Sequence, residues 1–143
     1  MSPRVGAGTY LLAMSSAINA WCLAMIGLLY YAVVPNVVSR TFAEYMAWAL
    51  GALVGYIFFY LSRRRLQDLN VPGTWARILA FPLFGVIILP VLCFMSGPRY
   101  SNDFGDPPQP SGVVKIAGAL ASFFAAVVLV PYATILYASS RAF

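Results

Sequence analysis

The sequence predicts an all-α membrane protein, with four transmembrane helices in a compact bundle and both termini cytoplasmic. Three observations carry that prediction. Of 143 residues, 62% are hydrophobic and 9% charged, against roughly 25% charged in soluble domains, which sets aside a water-soluble globule. The apolar residues gather into four runs separated by polar, turn-forming stretches. The most polar stretch, residues 62–75, puts Arg63, Arg64 and Arg65 at the end of one run and Trp75 at the start of the next, with a Pro72-Gly73 break between. That is the pattern of a helical hairpin anchored at a cytoplasmic membrane surface.

The first helix is expected over about residues 9–34, ended by Pro35-Asn36, with Tyr30 and Tyr31 in an interfacial belt. It lies within a charge-free run, residues 5–39, long enough to span and without a small-x-small cleavage pattern, so it is expected to be retained. Ser15, Ser16 and Asn19 lie well inside it, where hydrocarbon forces them to find partners on a neighbouring helix or the preceding turn. The second helix, about residues 41–66, starts with Thr41 as N-cap and Glu44 completing a capping box. Along it Ala43, Ala47, Gly51 and Gly55 recur every four residues. This small-residue face admits close approach by another backbone, from the same chain or from a separate subunit.

Asn70 suits a left-handed helix end, Val71 before Pro72 is biased to extended backbone, and Thr74 is a candidate cap for the third helix. That helix is expected over about residues 75–96, kinked by Pro82 and Pro90. A second polar loop, residues 97–112, is dense in turn formers. The fourth helix, about residues 113–138, carries a second small stripe, Gly118, Ser122 and Ala126, again a packing face. Placing the loop of residues 67–74 inside gives a cytoplasmic face with Arg4, Arg63, Arg64, Arg65, Arg77 and Arg141, and an opposite face with Arg40, Arg99 and Lys115. That distribution obeys the positive-inside rule.

The chemistry on offer is narrow. There is no histidine and there are only four acidic residues, so imidazole-based metal sites, haem ligation and acid–base catalysis are not expected. Asn102, Asp103 and Asp106 are close oxygen donors, but they lack the ligand series of a calcium loop. No cofactor, no metal and no enzymatic activity are expected. The net charge of +5 sits at the ends of apolar runs, which points to anionic lipid headgroups rather than nucleic acid. Arg63, Arg64, Arg65, Trp75 and Arg77 are the expected lipid anchors.

Two segments resemble the signatures of DUF805, a family of small bacterial inner-membrane proteins. The first is the run from Arg64 and Arg65 through Leu66, Gln67, Asp68, Leu69, Asn70, Pro72, Gly73 and Thr74 to Trp75. The family's pattern there is Arg-Arg-Leu-His-Asp-Ile-Gly-x-Ser-Gly-Trp-Trp, with Gln67 standing for the histidine, Asn70 for a glycine and Thr74 for a tryptophan. The second is Gly97 through Asn102, Phe104, Gly105, Asp106 and Pro107, against the family's Gly-x-x-Gly-x-Asn-x-Phe/Tyr-Gly-x-Asp-Pro. The resemblance spans about residues 63–108 and implies a membrane fold in the bacterial inner membrane, with no activity to carry over.

Small-residue faces on two helices, loops too short for a catalytic domain and no ionisable residue near mid-helix point to an accessory or structural subunit that packs against other integral membrane subunits. The alternative is a small homo-oligomeric transporter or channel, with the kinked third helix and Ser15, Ser16 and Asn19 lining its path.

Overall fold

The computed structural model describes residues 4–30, 37–80 and 82–139. Four α-helices follow in order: α1 (Ala7–Leu28), α2 (Arg40–Asp68), α3 (Pro82–Phe94) and α4 (Val113–Ser139), with a 3-10 helix, Gly73–Ala80, between α2 and α3. The expected end of the first helix at Pro35-Asn36, Tyr31 of the aromatic belt and Arg141 of the expected cytoplasmic face lie outside the described residues.

Three of these helices, α1, α2 and α4, are long and apolar enough to cross a membrane. The third is not. At 13 residues α3 rises about 20 Å, short of the roughly 30 Å of a hydrocarbon core. The expected single helix over residues 75–96 is divided. Pro82 opens α3 rather than kinking it, since a first-turn proline loses no helical hydrogen bond, and Gly73–Ala80 form the 3-10 segment.

The caps follow from local chemistry. Asn70 takes φ 61 one residue beyond the Leu69 cap of α2, the left-handed turn that asparagine tolerates. At the other end of α2 the N-cap is Ser39, whose hydroxyl accepts from the Phe42 amide at 3.3 Å. The expected Thr41–Glu44 capping box is absent because the helix begins two residues earlier than that pattern requires. Glu44 instead pairs with Arg40 one turn back at 3.5 Å, and the Tyr137 hydroxyl donates to it at 3.5 Å.

Pairwise contacts set the directions. The most extensive packing is α1 on α4. Gly8 faces Ser111 and Ile116, while Asn19 bonds Ser122, so the two helices run parallel. Tyr10 of α1 meets Ser62 of α2 at 2.7 Å, so α2 runs antiparallel to both. One end of the molecule therefore holds the start of α1, the end of α2 and the start of α4. The opposite end gathers Arg40, Glu44 and Tyr137.

The buried core belongs to the first of these ends. Tyr10, Met14 and Leu92 form its centre, with Phe58, Leu61, Leu66, Leu69, Leu79, Ile88 and Leu89 packed around them. There α3 packs against both α1 and α2, and the 3-10 helix packs against α2 and α3. Above them, between α1, α2 and α4, lies an apolar groove of about 700 Å³, lined by Trp21, Met25, Ala47, Trp48, Gly51 and Ala133 among others.

Candidate functional site: a buried arginine–aspartate node

The two sequence signatures, some thirty residues apart, meet at one place. The C-terminal turn of α2 carries Arg65 and Asp68 on one side, three residues apart, and turns both inward: neither side chain is more than 2% exposed. Their pairing is local. What it recruits is not.

Asp68 is shared between two guanidinium groups. Arg65 donates through Nη1 to one carboxylate oxygen. Arg4, from the segment before α1, donates through Nε to the other at 3.1 Å, with Nη2 3.0 Å from the same atom. Two positive charges around one carboxylate would be costly in the interior unless every remaining donor were satisfied. Backbone carbonyls supply that. Arg65 Nε donates to the Leu92 carbonyl at 2.9 Å, Nη1 to that of Val5 at 3.2 Å, and Nη2 to that of Met95. Arg65 thus closes the carbonyl-rich end of α3, where a cation also complements the helix dipole. Arg4 donates to the carbonyls of Pro98 at 2.9 Å, Tyr100 at 3.1 Å and Gly105 at 2.9 Å.

The second signature is shaped to lie over this pair. Asn102 donates from its amide to the Gln67 carbonyl at 2.9 Å, and its own Oδ1 accepts from the Phe104 amide at 2.9 Å. Asn102 and Gly105 exchange backbone hydrogen bonds at 3.1 and 3.0 Å. Gly105 stands at φ 117, where a side chain would be strained. Gly97 lies against the Asp68 carboxylate, so that a Cβ there would collide with it. Asp106 accepts from Ser101 Oγ at 2.7 Å at the exposed rim, and the Asp103 amide donates to Asn70 Oδ1 at 3.3 Å. Among the described residues no group of His, Cys, Asp and Glu is arranged to hold a metal.

The chain belongs to the DUF805 family. The match to that family's model, described as a protein of unknown function, runs over residues 2–106. It takes in Arg4, α1, α2, the first signature, α3 and the second signature up to Asp106, and stops before α4. No curated protein and no solved structure matches the chain. In DUF805 terms, the node assigns the signature residues Arg65, Asp68, Gly97, Asn102 and Gly105 to one junction, in which the second signature closes over the first.

The anchor residues separate. Arg63, Trp75 and Arg77 are exposed and Arg64 is partly so, the last with its guanidinium 4.7 Å from the Tyr60 ring centre. Arg65 departs from the expectation of a lipid anchor: it is fully buried, because its position on α2 faces Asp68 and the α3 carbonyls.

The small-residue faces also separate. On α2, Ala43 is buried and Ala47 and Gly51 line the groove, with the Trp21 indole nitrogen 3.9 Å from where a Gly51 Cβ would be. Around Gly55, and around Gly118 on α4, that position is open to 4 Å. The buried line of α4 runs instead through Ala119, Ala126 and Ala133, a seven-residue spacing. Ser122 and Ala126 belong to the contact with α1 and Gly118 does not. Arg4 is the residue sequence reasoning missed. Its single charge before a long apolar run was the available signal.

Proposed function

We propose that this DUF805 chain is a non-enzymatic integral protein of the bacterial cytoplasmic membrane, an accessory subunit that receives a transmembrane helix of a larger complex in the groove between α1, α2 and α4. The groove carries this reading. It is apolar, lies between the three helices long enough to span, and is lined by Ala47 and Gly51, which let a second backbone approach closely. The indole N–H of Trp21 beside it has no hydrogen-bond partner among the described residues, a donor that an incoming helix could satisfy with a hydroxyl or carbonyl. Exposed Arg63, Arg77, Arg99 and Lys115 supply contacts to anionic headgroups.

The test is mild-detergent purification of the tagged protein at native expression, followed by native gel and mass spectrometry. A stoichiometric integral membrane partner is expected. Gly51→Leu with Gly55→Leu should leave the protein folded, since neither Cβ position is crowded, and should remove the partner. A wild-type protein that migrates alone and conducts ions or solutes in liposomes would replace this reading with the transporter one.

A further inference from the structure

We infer that the 3-10 helix and α3 form a re-entrant hairpin that enters and leaves the membrane on one side, so that the chain crosses three times and its described ends, Arg4 and Ser139, lie on opposite sides. This goes beyond the accessory role and does not depend on it. The hairpin begins against α2, where Gly73 touches Arg63. It ends against α2 as well, where Arg65 holds the Leu92 and Met95 carbonyls. The loop that follows returns to the same turn through Asn102 on the Gln67 carbonyl and Arg4 on the Pro98 carbonyl. A helix that crossed the bilayer would carry this loop a full membrane thickness away. Its packing agrees: the apolar partners around the hairpin are Tyr10 and Met14 near the start of α1 and Phe58, Leu61, Leu66 and Leu69 near the end of α2. Non-helical backbone at membrane depth is tolerated where protein covers it, and the 3-10 segment packs on α2 and α3.

The charges then fall more unevenly than under a four-crossing arrangement. Arg4, Arg63, Arg64, Arg65, Arg77, Arg99 and Lys115 stand at or near the hairpin end, which is seven of the nine basic residues in the sequence, leaving Arg40 and Arg141. The positive-inside rule puts the hairpin end in the cytoplasm.

Single cysteines test this in cells expressing the chain with Cys22→Ala and Cys93→Ala, using a membrane-impermeant maleimide before and after permeabilisation. Thr74→Cys and Gln109→Cys should label only after permeabilisation, and Val37→Cys and Ser139→Cys in intact cells; all four positions are exposed. Labelling of Gln109→Cys but not Thr74→Cys in intact cells would restore a full crossing by α3 and overturn the inference. So would protection of Ser139→Cys. Labelling after permeabilisation shows that each variant is folded into the membrane and reachable, and a C-terminal alkaline phosphatase fusion, expected to be active, gives a second readout.

Discussion

Replacing Asp68 by asparagine keeps the side chain's shape and removes its charge, leaving two buried guanidinium groups across a neutral amide. Breaking a buried pair in this way costs about 3–5 kcal/mol, whereas Arg63→Ala at an exposed position changes stability by no more than about 0.5 kcal/mol. Unfolding midpoints in mixed micelles should separate the two variants on that scale, and equal midpoints would show that the node carries no stability. Glycine gives a second contrast. Gly97→Ala drives a methyl group into the Asp68 carboxylate and should cost about 1–3 kcal/mol, as overpacking does. Gly118→Ala meets nothing within 4 Å and should be neutral or stabilise α4 by up to about 1 kcal/mol. The pairing of Arg65 with Asp68 was legible, since three residues on a helix bring the side chains together. Its burial was not, because that depends on Leu92, Met95 and Arg4, which nothing local connects to it.

Among the elements, α1 and α4 are joined by a polar contact inside an apolar interface. Asn19 Nδ2 donates to the Ser122 carbonyl at 2.9 Å and reaches its hydroxyl at 3.1 Å, and Ser16 lies 3.3 Å from the same hydroxyl. A double-mutant cycle with Asn19→Ala and Ser122→Ala should give a coupling of about 0.6 kcal/mol for the hydroxyl bond, the usual size of such bonds in membranes; additivity would leave the Ser122 carbonyl, which the alanine variant keeps, as the partner that matters. That Asn19 needed a partner on another helix was readable from a polar group within an apolar run. The buried register of α4 was not, because alanine is so frequent in it that a four-residue and a seven-residue line of small side chains are both present, and only tertiary packing selects Ala119, Ala126 and Ala133. The third helix misled for a related reason. Hydropathy measures how much apolar chain is available, and residues 75–96 have enough to cross once or to fold back halfway.

At the scale of the molecule, the short α3 and the groove are two sides of one arrangement. The hairpin fills the gap between the long helices on the side of Tyr10 and Leu92 and leaves the gap open on the side of Trp21, Trp48 and Ala133. The family match stops at residue 106, so the shared unit is α1, α2 and the latched hairpin. In this chain α4 is laid parallel to α1 and contributes the groove wall at Val130, Ala133 and Tyr137. The accessory reading and the re-entrant topology are tested separately, one by what co-purifies and the other by which cysteines are labelled.

The node also imposes a timetable on biosynthesis. In order of synthesis Asp68 follows Arg4 by 64 residues and the Gly105 carbonyl follows it by 101. Until then Arg4 and Arg65 lack most of their acceptors, because the carbonyls of Leu92, Met95, Pro98, Tyr100 and Gly105 have not been synthesised. The nascent chain can close this junction only once the second signature arrives, so a ribosome stalled before that point holds a chain whose helices can form and whose fold is not yet locked.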